Sequence, residues 1–378
     1  MSGRSPHAAA PASPSPVDRV AGSAGMRWIA RARRPEAWLP LGAVAAALLC
    51  GLALVAAVGV PLTDAVAAFA DGAWGSAYAI GASLNRAIAL GLVGLGFIVA
   101  NRANLTNVGG EGQVALGGMT ATALCLYGGA ASLPGPLAWL VPMGGAAIVG
   151  GLWGGIAGAL KVKVGTNEVI STLLLSFIGV WLLYGSVQST SLLRQPMTDS
   201  ATLPESLEIP EVTHIPLLSA DASVSLHAGL VIAILLAAGV AVALNKTLFG
   251  IKLKAVGLNP VAARRAGMPI ASTVLLAMFI AGAFSGLAGA FMLQGEQFVL
   301  KARFSSGYGF DGLVVGLLAR GSVKGVVASA LLFGFLRSGG INMELLAGVP
   351  SAIVLIIQGF IILMLAGAAY WLQRDARS

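Results

Sequence analysis

The chain has 378 residues, of which 57% are hydrophobic and only 10% are charged. Soluble globular domains contain about 25% charged residues, so this composition excludes a soluble globular domain and predicts an all-α, polytopic membrane protein. The 23 basic and 15 acidic residues give a net charge of +8, which in a membrane protein is typical of cytoplasmic loops. No basic stripe alternates with aromatic residues, so nucleic acid is not an expected partner.

The amino-terminal part of the chain is polar. Residues 1–36 are rich in proline, serine, alanine and arginine and lack an apolar pattern, so we predict a disordered tail. The arginines at positions 27–34 precede the first apolar run, which places this end in the cytoplasm. That run, at residues 38–60, is too long for a signal-peptide core and predicts an uncleaved first span. Residues 61–80 then predict an amphipathic helix on the outer membrane surface.

Apolar runs and polar turns alternate along residues 37–372, which we interpret as one transmembrane domain with about ten segments, some short or broken. The segments are residues 38–60, 84–100, 114–127, 137–160, 165–187, 226–244, 272–293, 310–319, 325–335 and 350–371. The eighth and ninth are short, because a span needs about 20 residues. They are either two tilted short spans or a re-entrant pair. The number of membrane crossings is even in both cases, so both termini, including residues 373–378, are expected in the cytoplasm.

Glycine is frequent, with 51 residues, and several glycines recur four positions apart. Examples are Gly150 and Gly154 in the fourth segment, and Gly282 and Gly286 in the seventh. Small residues at this spacing let helices approach closely in lipid. We therefore predict that these glycines have a structural role.

Two long polar segments differ in charge and set the predicted orientation. Residues 188–225 contain several acidic residues and a single basic one, Arg194, so we predict that this segment lies outside. Residues 246–269 contain five basic residues and no acidic one, which predicts a cytoplasmic loop.

The basic loop also contains signals for a short helix. Asn259 is a favourable N-cap, because its side-chain oxygen can accept a hydrogen bond from a free backbone N–H of the first turn. Pro260 fits the first helical position, and Gly267 fits the left-handed position after the last turn, with Pro269 blocking continuation. A helix of two turns is not stable alone in water, so it must dock on another surface. The alternative is an ordinary cytoplasmic loop.

Polar residues near membrane depth are costly, and they are candidates for lining a solute path. These candidates are Asn107, Glu111, Gln113, Asn167 and Asp311. A structural alternative applies to Asn167 and the following Glu168, because a cap and an acidic residue both stabilise the start of a helix.

Catalytic motifs are absent from the sequence. It contains no GxxxxGK[ST], HExxH or GxSxG, so the chain lacks a typical ATPase site and we predict no enzymatic activity. The GxGxxG at Gly307, Gly309 and Gly312 lacks the strand, helix and downstream acidic residue of a dinucleotide-binding fold. We expect neither a metal site nor a cofactor on this chain.

Four stretches together resemble one family, the bacterial ABC importer permeases for nucleosides, riboses and related solutes. They are NVGGEGQ at residues 107–113, GTNEVI at 165–170, the loop at 250–267 and GYGFDG at 307–312. The resemblance covers residues 38–370 in order. It is closest to permeases that work with lipoprotein-type nucleoside receptors, and it implies a ten-helix importer fold with two pseudo-symmetric halves.

The resemblance also implies partners and a location. The chain would be the membrane subunit of an ATP-driven importer in the bacterial cytoplasmic membrane, surrounded by lipid. Its partners would be two ATPase subunits that bind the ATP, a second permease copy or relative, and an extracytoplasmic solute-binding protein. In this family the loop between the sixth and seventh spans carries a coupling helix that docks on the ATPase. This assigns ATPase coupling to Gly257, Asn259, Pro260, Val261, Ala262, Ala263, Arg264, Arg265 and Gly267.

Two alternatives remain at the level of the sequence. One is a permease of the same architecture for simple sugars or branched-chain amino acids. The other is a secondary transporter driven by an ion gradient, since broken helices such as residues 101–113 occur there too. Dependence on ATP separates the second alternative from the importer.

Overall fold

The structure is a computed structural model that describes residues 35–197, 203–219, 221, 223–350, 352–360, 363–364 and 367. The predicted tail of residues 1–36 lies outside this part except for its last two residues, which begin the first helix. The predicted carboxyl end at 373–378 also lies outside it. Residues 55–354 form one compact unit that contains every candidate site residue. The terminal segments form a second unit, in which Gly51 lies against Ile357.

The described residues fold mainly into α-helices and form no β-strand, which confirms the all-α prediction. The helices are α1 (Pro35–Ala57), α2 (Leu62–Trp74), α3 (Ala77–Arg102), α4 (Gly110–Leu126), α5 (Leu137–Val164), α6 (Glu168–Gln188), α7 (Gly229–Lys246), α8 (Leu248–Leu258), α9 (Pro260–Arg265), α10 (Ile270–Met292), α11 (Tyr308–Leu318) and α12 (Val323–Ala347). A π-helical turn, Leu293–Gln297, continues α10. Residues 352–360 are helical as well.

Six of the described helices are long and apolar enough to cross a membrane, judged by length and composition: α3, α5, α6, α7, α10 with its π turn, and α12. Shorter apolar stretches lie in α1, at Ala45–Ala57, and in α11. Helix α4 and residues 352–360 coincide with two further predicted segments. Each predicted membrane segment therefore coincides with a helix wherever the structure describes its residues, and the polytopic prediction is confirmed.

The ninth predicted segment is wrong in length. It was predicted as residues 325–335, whereas α12 has 25 residues and is long enough to span. The sequence pattern breaks at Arg337 and at the glycines that follow it. In the structure Arg337 is neutralised by Asp311 of α11, so the helix continues through the charge. Only α11, with 11 residues, stays short as predicted.

The basic segment 246–269 is also more ordered than predicted. Most of it belongs to α8 and α9, so it is a pair of helices and not a loop around a single short one. Thr247 and Asn259 have extended backbone angles, with φ of −120° and −156°, and they separate α7 from α8 and α8 from α9. Their extended conformation turns one continuous apolar and basic pattern into three separate helices.

The helix predicted at residues 61–80 is present as α2, and it packs on α12. Its buried face consists of Ala65, Ala68 and Ala73. The Asn342 side chain of α12 donates a hydrogen bond to the Ala68 carbonyl at 2.7 Å. This bond lets a polar side chain of α12 sit in the α2 interface.

Helix α10 lies at the centre of the compact unit, between α5, α4 and α3. Gly282 of α10 faces Gly150 of α5 so closely that a Cβ on Gly282 would lie 2.2 Å from the Gly150 oxygen. On the α4 side, a Cβ on Gly289 would lie 2.2 Å from the Val114 oxygen. The three backbones are therefore in direct contact, as small residues allow. This confirms the structural role predicted for the spaced glycines.

Candidate functional site

Helix α9 has the two ends that the sequence predicts. The Asn259 side-chain oxygen accepts a hydrogen bond from the Ala262 N–H at 2.9 Å, and Pro260 occupies the first helical position. Gly267 has φ of +77°, and its N–H donates to the Arg264 carbonyl at 3.0 Å. A left-handed glycine at this position ends a helix without strain. The prediction of a capped short helix is confirmed.

All residues of α9 that were assigned to ATPase coupling are exposed except one. Val261 is 62% exposed, and Ala262, Arg264 and Arg265 are exposed too. Ala263, which the resemblance also assigns to ATPase coupling, is only 4% exposed and packs against its own chain. A residue at this place on the helix faces inward because the cap and α8 set the direction of α9. The surface that remains for a partner is apolar at Val261 and basic at the two arginines.

Helix α8 joins this surface to the end of α3. A Cβ on Gly257 would lie 2.6 Å from the Arg102 oxygen and 2.9 Å from the Ala103 carbonyl carbon, so the two backbones touch. The next residue of the chain, Asn104, adopts φ of +56°. Helix α8 is therefore in direct backbone contact with the chain that enters the polar break between α3 and α4.

Asn107 and Gln113 form a closed amide pair within this break. The Asn107 side-chain NH₂ donates to the Gln113 oxygen at 2.9 Å, and the Gln113 NH₂ donates to the Asn107 oxygen at 3.3 Å. The Asn107 oxygen also accepts the Gly109 N–H at 2.9 Å. Both side chains are at least 95% buried, with exposures of 5% and 1%. The structure thus places these two solute-path candidates inside the protein, bonded to each other.

The break is also attached to α6. The Val108 N–H donates to the Thr172 hydroxyl at 3.1 Å, and the Gly112 N–H donates to the Ser176 hydroxyl at 3.0 Å. Thr172 and Ser176 lie one helical turn apart, so both face the same neighbour. The sequence analysis missed these two residues. Their spacing, following directly on GTNEVI, is the signal that would have found them.

Glu111 connects two of the motifs. One carboxylate oxygen accepts the Gly307 N–H and the other accepts the Gly309 N–H, each at 2.8 Å. The side chain is 7% exposed. Because Gly307 is the N-cap of α11, the negative charge lies at a helix N-terminus, where free N–H groups favour it. We name this arrangement the Glu111 clamp.

Asp311 pairs with a residue that the sequence analysis did not single out. Arg337 of α12 donates to the Asp311 carboxylate and to the Ser306 carbonyl, both at 2.5 Å. Its guanidinium group also lies 3.9 Å from the centre of the Tyr308 ring. The Asp311 side chain is 17% exposed. Arg337 therefore joins α12 to the first turn of α11 through a charge pair and an aromatic contact.

Asn167 has the structural position that was the alternative to a solute contact. Its side-chain oxygen accepts the Val169 N–H at 2.9 Å and the Ile170 N–H at 3.4 Å, so it caps α6. Glu168 forms an ion pair with Lys161 of α5 at 2.5 Å. The predicted cap and first-turn acidic residue are confirmed. Asn167 is exposed, and its side chain takes no part in the hydrogen bonds described above for Asn107, Glu111 and Asp311.

The part of the chain that carries these motifs matches a known family. Residues 79–366 match the family described as the permease component of branched-chain amino acid transport systems. The chain belongs to this family. As one of its permeases it is a multi-pass membrane protein and a transport component of an ABC transporter.

Relatives within this family carry different substrate names. The guanosine ABC transporter permease NupP of Bacillus subtilis is 34% identical over 87% of this chain and 93% of its own length. The glucose ABC transporter permease TsgB13 of Haloferax volcanii is 34% identical over 90% of both chains. The nucleoside ABC transporter permease NupB of Lactococcus lactis is 32% identical over 78% and 80%. No solved structure matches the chain.

Proposed function

We propose that the chain is the membrane subunit of an ATP-driven importer of nucleosides. The observation that carries the importer mechanism is the capped helix α9. It presents Val261, Arg264 and Arg265 to a partner and stands in backbone contact, through Gly257 of α8, with the end of α3. A chain without a P-loop needs such a surface, because the energy of ATP must reach it from another subunit.

A continuous set of contacts leads inward from α9. Gly257 touches the backbone at Arg102, which leads into the polar break. The break is bonded to α6, and Glu111 at its end holds the first turn of α11. Arg337 then joins α11 to α12. Contiguous packed backbone and buried hydrogen bonds of this kind can carry energetic coupling between distant sites, which supports a role for these contacts in the importer.

The partners follow from this mechanism. An ATPase subunit would bind ATP and contact Val261 through an apolar surface and Arg264 and Arg265 through acidic residues. A second permease subunit and an extracytoplasmic solute-binding protein would complete the importer. The acidic balance of residues 188–225 and the basic balance of α8 and α9 support an orientation with α9 and both termini in the cytoplasm. The membrane would be the bacterial cytoplasmic membrane.

The nucleoside substrate is supported by the relatives. Two of the three relatives described above are named for guanosine or nucleosides. The match to one of them extends over 93% of that relative's length. Glucose is the second candidate, because the relative from Haloferax volcanii is equally identical and carries that name. Both solutes are uncharged and rich in hydroxyl groups.

Reconstituted uptake tests the proposal. The permease, its ATPase and its solute-binding protein are placed in liposomes, and uptake of radiolabelled guanosine is followed with and without ATP. We expect accumulation that requires ATP hydrolysis and is inhibited by unlabelled nucleosides but not by glucose or leucine. Inhibition by glucose or leucine alone would favour the sugar or amino-acid alternative. Uptake by the permease alone under an ion gradient would favour the secondary transporter and contradict the proposal.

A further inference from the structure

Four charged side chains from four different elements of the compact unit interact with one another, through the hydrogen bonds of Arg86 to Ser338 and of Arg337 to Asp311 and through the charge of both arginines on Glu296. They are Arg86 of α3, Glu296 of the π turn after α10, Asp311 of α11 and Arg337 of α12. Charged residues inside membrane-spanning protein are costly and mark functional sites more often than structural ones. We call these four residues the charged cluster.

The charged cluster lies in the half of the protein away from α9. Along α3, Arg86 is about 14 Å from the first residue and about 24 Å from the last, at ~1.5 Å per residue. The last residue of α3 is the one that contacts α8. Along α12, Arg337 is about 21 Å from the first residue and about 15 Å from the last. The neighbour of Arg337, Ser338, accepts a hydrogen bond from Arg86 at 2.6 Å, which joins the two arginines.

Glu296 differs from the other members because its carboxyl group has no bonded partner. Arg337 is paired with Asp311, and Arg86 is bonded to Ser338. Both arginines act electrostatically on Glu296. Among the described residues, however, neither they nor any other group forms an ion pair or hydrogen bond with its side chain. A partly buried carboxyl group that has no bonded partner among the described residues is available to a third molecule.

The backbone around Glu296 gives an independent indication of function. Glu296 lies in a π-helical turn, Leu293–Gln297, and the residue that ends this turn, Phe298, adopts φ of +56°. Single π turns within helices occur frequently at functional sites. A non-glycine residue with positive φ is uncommon, and it persists only where the surrounding structure requires it. The π turn also shifts Glu296 off the face that a regular α-helix would give it.

The chemistry of the cluster favours a solute that donates hydrogen bonds. Asp311 and Ser338 already accept hydrogen bonds from the two arginines, which leaves the Glu296 carboxyl group as the unbonded acceptor. The two carboxyl oxygens of Glu296 can accept hydrogen bonds from two adjacent donors. A nucleoside offers two such pairs: the vicinal hydroxyls of ribose, and the N1–H and 2-amino groups of guanine.

We infer that Glu296, with Arg86 and Arg337 beside it, forms the solute-binding site of this permease and takes a molecule with two adjacent hydrogen-bond donors. The inference rests on the proposed nucleoside uptake and names the part of the chain that contacts the solute. It places this contact in the charged cluster. The sequence-predicted candidates Asn107 and Gln113 are already bonded to each other.

The test measures solute binding by the permease itself. Radiolabelled guanosine is titrated into the permease–ATPase complex in nanodiscs without the solute-binding protein, and bound label is counted by scintillation proximity. Glu296→Gln retains the size of the side chain and replaces one acceptor by a donor. We expect at least a tenfold loss of affinity for Glu296→Gln. The matched control Glu208→Gln changes an exposed acidic residue in the same way, and we expect it to bind like the wild type.

Competing analogues identify which donor pair Glu296 recognises. Dideoxyguanosine without the 2′ and 3′ hydroxyls retains the base edge, and inosine retains the ribose but lacks the 2-amino group. We expect one of the two to compete at least tenfold less well than guanosine with the wild type, and this difference to disappear in Glu296→Gln. Should that variant fail to assemble, Glu296→Asp retains the charge on a shorter side chain, and we expect it to assemble with reduced affinity.

The outcomes are separable from those of the proposed function. Wild-type guanosine uptake in liposomes together with unchanged binding in Glu296→Gln, or in Glu296→Asp where only that variant assembles, would overturn the inference alone. Absence of guanosine binding by the wild-type complex that does transport guanosine would also overturn it. A wild-type complex that neither transports nor binds guanosine would overturn both.

Discussion

The Glu111 clamp makes a prediction that separates a structural role from a role in the solute path. In Glu111→Gln one amide oxygen can still accept the N–H of Gly307 or Gly309, but the NH₂ group faces the other N–H. One of the two 2.8 Å hydrogen bonds is therefore lost and a donor faces a donor. A hydrogen bond to a charged group contributes about 1.5–3 kcal/mol, and a buried unpaired donor costs about 1–3 kcal/mol.

The size of the effect follows from these values. A loss of even 1.5 kcal/mol raises the open population of the turn before α11 about tenfold, because ~1.4 kcal/mol corresponds to a factor of 10. Hydrogen–deuterium exchange of the assembled complex in nanodiscs measures this opening at the amides of Gly307 and Gly309. We expect both to exchange at least about tenfold faster in Glu111→Gln. The Asn167-capped amides of Val169 and Ile170 serve as an internal reference that stays unchanged.

One result would refute the structural role of Glu111. If exchange at Gly307 and Gly309 stays at the wild-type rate while affinity for guanosine falls, Glu111 contacts solute and the two N–H bonds do not hold the turn. Glu208→Gln again controls for the loss of a negative charge, since Glu208 is exposed.

Three further predictions concern other contacts. Asn259→Ala removes the 2.9 Å cap bond of α9, worth about 0.5–2 kcal/mol, and should reduce co-purification of the ATPase. Gly282→Ala places a Cβ 2.2 Å from a backbone oxygen of α5, so overpacking should cost about 1–3 kcal/mol or more and lower the melting temperature. Gly239→Ala should not, because nothing lies within 4 Å of its Cβ position. Arg337→Gln leaves Asp311 unpaired and should destabilise the complex by up to about 3–5 kcal/mol.

Each of these predictions has its own contrary outcome. ATPase binding that is equally weak in Asn245→Ala, which removes an exposed asparagine of α7, would show that the Asn259 cap is not the cause. Equal melting temperatures for Gly282→Ala and Gly239→Ala would mean that the close contact between α5 and α10 at Gly282 does not contribute to stability. If adding Asp311→Asn to Arg337→Gln restores no stability, the loss does not come from an unpaired carboxylate.

Local features of this protein could be predicted from the sequence. The caps at Asn259 and Asn167 bond to N–H groups two or three residues away, so residue type and spacing are enough to identify them. The helices themselves follow from the length and composition of the apolar runs. Spaced glycines in two segments indicated close packing, which the contact between Gly150 and Gly282 confirms.

Contacts between distant parts of the chain could not be predicted in this way. Glu111 and Gly307 are 196 positions apart, and nothing in either motif indicates its partner. Arg337 looked like the end of a span because its neutralising carboxylate belongs to another helix. The inward direction of Ala263 depends on how α8 and α9 meet, which residue type does not determine.

The backbone contact of α10 with α4 and α5 has a mechanical consequence. No side chain lies between Gly282 and Gly150 or between Gly289 and Val114, so no rotamer change can absorb a shift there. A slide of one residue, about 1.5 Å along the axis, would drive larger neighbouring side chains into a space that fits only hydrogen atoms. We therefore expect α4, α5 and α10 to move as one rigid unit in a transport cycle. The relative motion that opens and closes a path falls to a more exposed helix, α7.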